Sequence, residues 1–491
     1  MAEPLPSGEG RPPDPNLPAA RLVDAPAAAP APVAGLAAAS PLAQPAAPFV
    51  VMAVLVALIA VGAGQWFYNA AVARILVGAV GVLAAVALAR YVQGRHPEEP
   101  WIGKFIVWGM VVKIIGTLLR YYVFVVATTR RPDALNYDRY GLEVVAGTAD
   151  PLPSLRKTNF IFFLTGRVYT LIGPDLIAGF IVFGIFAFFG AYFWYRATAE
   201  AVPALNRPMC CALMFFAPSL AFWPSSVGKE AVMLFALGLT ALGAARLLGG
   251  RLLQGLAIAA PGGWLLWLVR PHLIAFVTVA AGAAYLVGRG SSAKVASASL
   301  KRPIGLIILG LLGVFAVTQA ASFLGMEDLS ISSVEEELAN TSTQTSQGGS
   351  AFDTGGDSET GEVHLTPLSL PVGLVTVLLR PFPWEVESGS QLIACLECAV
   401  FAYLVVHRRQ SIVASIRQIR SSPFLFFCWV LLAFFSIAFS SFGNMGLLVR
   451  QRSLVLPAFF ALISVEPSAN DDRRARATDT TEANRDTRVA G

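Results

Sequence analysis

Charge is scarce in this chain: Asp, Glu, Lys and Arg make up 14% of its 491 residues, against 55% hydrophobic residues. Soluble domains carry about 25% charge. A string of about three soluble domains, which the length alone would allow at about 150 residues each, is therefore excluded. Cysteine is scarce too, and the five thiols (Cys210, Cys211, Cys395, Cys398 and Cys428) all sit in apolar runs. There they behave as small hydrophobes, and a disulfide scaffold is ruled out. Cys395 and Cys398 form a C-x-x-C, but no second Cys or His pair stands nearby to complete a zinc site, so no metal site is expected there. A G-x-x-x-x-G-K-[ST] phosphate loop and a soluble Rossmann pattern are both missing, which removes the usual nucleotide cradles. The net charge of +5 sits mainly in short loops between apolar runs, so no nucleic-acid partner is expected.

What the chain has in abundance is apolar sequence in long runs, with a mean hydropathy of +0.63. A bilayer core of about 30 Å needs roughly 20 apolar residues in helix. Runs that approach this length cover 48–66, 72–92, 105–127, 175–196, 208–223, 228–248, 252–269, 273–288, 303–324, 389–407, 422–441 and 447–465. The expected fold class is therefore all-α: a polytopic membrane helical bundle of about 12 transmembrane helices. Two further apolar segments, 157–172 and 367–380, are charged or proline-bounded and read as interfacial or re-entrant pieces. Residues 1–47 and 466–491 are Pro/Ala-rich or charged and read as disordered cytoplasmic tails flanking a bundle over 48–465, with no cleavable signal peptide evident.

Orientation follows from the basic residues. With the N-terminus in the cytoplasm, every internal loop carries Lys or Arg, from Arg90, Arg95 and Lys104 through Arg196, Arg207, Arg246 and Arg251 to Arg408, Arg409, Arg417 and Arg420. Both termini are then cytoplasmic, in an inner membrane. The outer side receives two long loops, 128–174 and 325–388, and the tight turns PSSVGKE, VRPH and FGNMG. These outer segments hold most of the unusual polar residues.

The first outer loop reads RRPDALNYDRYGLEV, so Asp133, Tyr137 and Asp138 follow a span directly. A carboxylate at that depth can act as general base on an acceptor hydroxyl or hold a divalent cation. Which acid would serve as base, and whether a cation is needed, stays open. Charges inside spans are costly and mark function by default. Lys113 and Arg120 share one face of the third span, and Arg120 can reach the outer surface. Lys229 opens the sixth span after Ser225, Ser226 and Gly228, where free helix N–H groups favour an anion; a local pairing with Glu230 is the competing reading. Arg270 and His272 flank Pro271 at the next turn. Arg380, Trp384 and Glu385 lie in RPFPWE, which joins an arginine fork for phosphate to an indole suited to sugar or headgroups. Arg450 and Arg452 stand just inside the last span. The cations Arg120, Lys229, Arg270, Arg380 and Arg450 together suit a lipid-linked pyrophosphate, with an apolar groove needed for its tail. The outer stretch 327–363, rich in Ser, Thr, Gly and acids, reads equally as a lid over substrate or as plain disorder.

A span, then an outer loop carrying Asp133 and NYDRYG, then an interfacial segment and many spans resembles the integral-membrane, lipid-dependent glycosyltransferases of the GT-C type. The motifs SSVGKE, LVRPH, LLRPFPWE and GNMGLLVRQR are more similar to bacterial membrane proteins related to exopolysaccharide and O-antigen polymerases. The likeness covers about 105–465 in order and spacing. It implies a GT-C-like bundle, an acid in the first outer loop (Asp133 or Asp138) as catalytic residue, and external arginines (Arg270, Arg380 and Arg450) binding a polyprenyl-linked glycan. Two spans precede the one before the acidic loop, which departs from the GT-C order, and Asp133 and Asp138 do not form a paired-acid motif. The expected activity is a membrane glycosyltransferase or polysaccharide polymerase for the cell envelope. A transporter or flippase of lipid-linked saccharides, and a non-enzymatic component of an envelope-biosynthesis complex, are the competing expectations. The transporter reading is weakened by the absence of a convincing internal repeat.

Overall fold

The computed structural model describes residues 69–128, 132–288, 369–440, 442 and 444–467, with a few isolated positions between 310 and 340. The chain divides into two units, of which the first, Met1–Pro45, lies outside the described residues. So do the expected spans 48–66 and 303–324, the stretch 341–368 with most of the serine- and glycine-rich outer segment, and Arg130 and Arg131.

Among the described residues the elements are helical. They are α1 Ala70–Arg95, α2 Ile102–Tyr121 with a π-helical turn at Tyr122–Val126, α3 Asp133–Ala146, α4 Thr158–Ile172, α5 Leu176–Ala201, α6 Arg207–Phe216, α7 Pro218–Phe222 and α8 Lys229–Leu248. Then follow α9 Leu252–Val269, α10 Pro271–Val287, α11 Ser369–Leu379, a 3-10 turn at Pro383–Glu385, α12 Gly389–His407, α13 Arg409–Arg417, α14 Pro423–Ser440, α15 Met445–Arg452 and α16 Leu456–Ile463.

Six helices are long and apolar enough to cross a membrane: α1, α2 with its π-turn, α5, α8, α9 and α14. The bent pairs α12–α13 and α15–α16 raise this to eight if each is one span. The figure of about 12 is thus not reached among the described residues. Each of the ten expected spans lying there is helical, but four are broken or short. Residues 208–223 divide at Ala217–Pro218 into α6 and α7, because proline lacks the N–H that would continue the first helix. Residues 447–465 bend by 56° between α15 and α16, where Pro457 again opens a new helix. Residues 389–407 run into α13 across a 63° bend, and α10 has 17 residues. The segments α4 and α11 are helical and shorter than a span.

Small residues set the packing of the central helices. A Cβ on Gly238 of α8 would run into the carbonyl of Gly190 on α5, and one on Gly243 would meet Ala259 of α9 at 2.6 Å. Backbones that approach this closely gain dispersion contacts along their length, the main attraction left between helices in an apolar solvent. α5 and α8 are accordingly the most buried of the long helices. Side-chain caps fix several starts: Asp175 accepts from Ala178 N at 2.8 Å and, on its outer side, pairs with Arg74 of α1 at 2.7 Å.

Charge divides between the two ends of α8. At its C-terminal end Arg246 joins Arg196 and Arg251 around Glu200 at 2.8–3.1 Å. Nearby, Arg196 meets His96 at 3.4 Å. At its N-terminal end lie Lys229 and Glu230. The basic residues expected in cytoplasmic loops and the polar residues expected outside therefore gather at opposite ends of one helix.

Candidate functional site

The site is built around Glu230, one residue into α8 and 2% exposed. A carboxylate placed this deep must be paired. Its Oε2 accepts from Arg450 Nη2 at 2.8 Å and its Oε1 from Gln451 Nε2 at 3.3 Å, both on α15. Arg270, at the α9–α10 corner, places Nη2 3.8 Å from Oε1 and donates from Nη1 to Gln451 Oε1. Glu230 thus takes its partners from α15 and from the α9–α10 corner, and the local Lys229–Glu230 pairing is not what holds it. Lys229 is half-buried and within electrostatic reach of Arg270, Glu230, Asp133 and Arg450.

Arg120 enters from α2. It is 5% exposed, and its guanidinium carbon lies 4.7, 5.4 and 5.0 Å from the ring centres of Phe124, Phe222 and Trp223. Its Nε donates to Ser226 Oγ at 3.1 Å, in the turn before α8, and its charge acts on Arg450 and Glu230. Four cations (Arg120, Lys229, Arg270 and Arg450) therefore face two carboxylates, Glu230 and Asp133, an excess of two positive charges. Arg120 Nη1 and Arg450 Nε are buried without a hydrogen-bond partner. Each such donor costs about 1–3 kcal/mol unless a ligand satisfies it.

Asp133 stands at the open side of this cluster, its side chain 65% exposed and its Oδ2 3.7 Å from Arg450 Nη2. It occupies the first turn of α3 after Pro132, where the helix dipole favours an acid. Tyr137 comes one turn later on the same face, is buried, and packs against Phe162 of α4 with ring centres 5.1 Å apart. Burial, with Asp133 beside it, pushes the Tyr137 phenol well above its ordinary range.

Asp138 points elsewhere. Five residues beyond Asp133, at about 100° per residue, it is rotated about 140° around α3. Its Oδ1 accepts from Tyr169 Oη at 2.5 Å and its charge is felt by Asp175, so α4 engages it instead of the cations. Burial pushes its carboxyl above the usual carboxylate range, against the opposing pull of the Tyr169 hydrogen bond. Close approach of α3 and α4 fixes this arrangement: a Cβ on Gly141 would come within 2.7 Å of the Tyr169 ring.

The RPFPWE turn is a neighbouring but separate unit. Arg380 pairs with Glu385 inside the turn, and Glu385 also accepts from Phe382 N at 2.8 Å. Trp384 stacks on Phe382 with centres 4.9 Å apart and stays 79% exposed. The turn connects to α15 through Arg452, not Arg450. Arg452 is fully buried and donates to the Arg380 carbonyl at 3.0 Å, to Cys398 Sγ at 2.8 Å and to Glu397 at 3.2 Å. Glu397 in turn accepts from Ser219 N at 2.7 Å, on α7, and Lys113 donates to the adjacent Leu220 carbonyl at 2.6 Å. Arg452 and Lys113 are therefore structural ties between helix fragments. His272 opens α10 and lies edge-on to Phe276, ring centres 6.0 Å apart.

Known protein families, curated proteins and solved structures offer no match to this chain.

Between α9 and α10 runs a cavity of about 470 Å³. Its walls are one face of α9, including Leu256, Ala260, Trp264 and Trp267, and one face of α10, including Ile274 and Ala281, over a floor from α8. The lining is almost wholly apolar, and Trp264 is 59% exposed at its rim. One end of it is formed by Trp267 and Ile274, three and four residues from Arg270 in sequence, and the other reaches Leu248, Leu252 and Tyr285 at the far end of α8. Arg156 covers Trp267 at 4.1 Å.

Of the residues expected at one site, the structure brings together Asp133, Tyr137, Arg120, Lys229, Arg270 and Arg450, while Asp138 pairs with Tyr169, Arg380, Glu385 and Trp384 form their own turn, and His272 packs on Phe276. Sequence reasoning passed over Glu230 as the hub and missed Gln451. The signal for Glu230 was present: an acid at the start of an otherwise apolar helix. Among the described residues no group of three or more His, Cys, Asp or Glu side chains converges to hold a metal ion. Asp133 faces an arginine instead, which does not suit a divalent cation.

Proposed function

We propose that this chain is a membrane glycosyltransferase or polysaccharide polymerase that takes polyprenyl-linked sugar donors at the outer face of the cytoplasmic membrane. The carrying observation is the basic cluster: four cations against two acids, with two buried guanidinium nitrogens unsatisfied, on a bundle that also holds an apolar cavity between α9 and α10. An anionic headgroup joined to a long apolar tail matches both halves of that arrangement. The gathering of loop arginines at the far end of α8 supports the orientation.

In this reading Arg120, Arg270 and Arg450 hold the phosphate oxygens of the donor, and Lys229 adds charge at the α8 N-terminus. Asp133 takes the proton of the acceptor hydroxyl. The acceptor oxygen bonds to the sugar C1 as the C1–O bond to phosphate breaks, and the arginines neutralise the lipid phosphate that leaves. Asp133 is preferred to Asp138 because it is exposed and beside Arg450. Trp384, with Arg380 and Glu385 bracing its turn, offers a largely exposed indole to receive sugar faces.

The test is transfer from a radiolabelled polyprenyl diphosphate-linked sugar by the purified full-length protein and by Asp133→Asn and Arg450→Gln. Loss of transfer in both variants at normal folding is expected. Full transfer in both, or none from wild type with any polyprenyl-linked donor of its host, overturns the proposal.

A further inference from the structure

α13 differs from the other helices in what it leaves uncovered. It leaves α12 at a bend of 63°, so if α12 crosses the membrane, α13 lies near its surface plane. Its inner face is small and polar: Ser411, Ala414 and Ser415 are buried against α16 and α14, and Trp429 Nε1 donates to Ser415 Oγ at 3.1 Å. At the junction Arg408 donates to the Ile463 carbonyl at 3.2 Å, and at the other end of α13 Gln418 donates to that of Glu466 at 3.1 Å.

The outer face carries Arg409, Val413 and Ile416 at helical spacing, with the two apolar residues 43% and 52% exposed. Between positions 400 and 420 the chain has four arginines and no acid. A helix on a water-facing surface gains nothing by exposing valine and isoleucine between arginines, whereas a helix at a bilayer surface buries the first and pairs the second. Where α12 meets α13, a cavity of about 340 Å³ opens among Tyr403, Val406, His407, Arg409 and Gln410. The Tyr403 ring lies flat on His407 at 5.3 Å and 9°, giving the cavity a rigid wall. Tyr403 and Val406 on the α12 side are 62% and 64% exposed and belong to its apolar outer surface. The cavity is thus apolar on one side and cationic at the rim.

We propose that the α12–α13 junction binds the headgroup of an anionic glycerophospholipid, with Arg409 on its phosphate and the first acyl carbons against Val406 and Tyr403. This site is at the opposite end of the bundle from Glu230: Ser422, at the start of α14, donates to the Ala201 carbonyl at the C-terminal end of α5 at 2.8 Å. It does not depend on the glycosyl-transfer reading. Glu200 at that end is already held by three arginines, and Glu466 is the exposed acid near Gln418.

The test is native mass spectrometry of the full-length protein in detergent, titrated separately with phosphatidylglycerol, phosphatidylcholine and inorganic phosphate. Wild type is expected to retain phosphatidylglycerol over phosphatidylcholine. Arg409→Gln should weaken that retention about fivefold, the weight of one surface arginine on an anionic headgroup. Gln410→Glu should weaken it as well, and Arg139→Gln, an exposed charge on α3, should not. Equal retention of the two lipids, binding of inorganic phosphate alone, or an unchanged Arg409→Gln overturns the proposal. Because Arg409 and Gln410 are exposed, neither change threatens folding, and an unaltered melting temperature in phosphatidylcholine confirms this for each variant.

Discussion

Arg450 and Glu230 meet at 2.8 Å across 220 positions of sequence, and Glu230 is 2% exposed where they do. The pair joins the start of α8 to the broken helix α15, and the α9–α10 corner enters through Arg270. Removing one partner of a buried pair leaves an uncompensated charge, which costs about 3–5 kcal/mol. Glu230→Gln is therefore expected to lower the melting temperature of the protein in detergent. The same change deletes a negative charge from an anion site, so binding of a polyprenyl diphosphate should tighten in the folded fraction. Unchanged or weaker binding in the folded fraction would show that Glu230 does not compete with a bound anion.

Asp138 carries a different prediction. Its folded carboxyl sits above the ordinary range because of burial, so the fold binds that proton more tightly than the unfolded chain does. The associated stability is fully present below the unfolded value of about 3.9 and is lost as pH rises through the folded value. Melting temperatures across that interval should fall with rising pH in wild type and less so in Asp138→Asn. Tyr169→Phe removes the hydrogen bond that opposes the shift and should move the wild-type transition to higher pH.

The long helices that carry Arg120 and Lys229 were legible as apolar runs, because lipid solvation leaves few other ways to bury them, whereas α3, which carries Asp133 and Tyr137, was read as part of an outer loop. Asp138 shows where the sequence stopped. Both acids of RRPDALNYDRYG lay in the loop that follows a span, and only the rotation of α3 after Pro132 decides that Asp133 and Tyr137 face the arginines while Asp138 faces Tyr169. Arg450 and Arg452 pose the same problem: two residues apart in helix, they are about 200° apart and serve different partners. Glu230 was overlooked because its obvious neighbour, Lys229, offered a local partner. Its hydrogen-bond partners, Arg450 and Gln451, lie more than 200 residues away, beyond any reading of spacing. The breaks at Pro218 and Pro457 were marked by proline within apolar runs short enough to suggest tilted or broken helices, though not where each would break.

If the proposed donor lays its tail in the apolar cavity between α9 and α10, headgroup and tail binding are separable there. Ala260 faces it from α9. Ala260→Trp should fill that space and weaken binding of a long-chain polyprenyl diphosphate about tenfold, given about 1.5–3 kcal/mol for burying a large apolar group. Binding of a water-soluble short-chain diphosphate should be unchanged. If the two ligands weaken together, the substitution has disturbed the basic cluster; if neither weakens, the tail lies elsewhere.

Lys157 tests the backbone that closes the site from the side of α4. With φ at 58° and ψ at −128°, it adopts a conformation that side chains disfavour, and it does so immediately before α4. The geometry is held because Lys157 N donates to the Leu268 carbonyl at 2.6 Å, tying the start of α4 to the end of α9, two residues before Arg270. Glycine reaches such angles without a Cβ clash, and strain of this kind costs about 1–3 kcal/mol. Lys157→Gly should therefore raise the melting temperature while leaving the Leu268 bond in place. Lys157→Pro removes the donor as well and should lower it, releasing the α9 end that carries Arg270. A Lys157→Gly protein less stable than wild type would mean that the lysine side chain, not the turn, secures this junction.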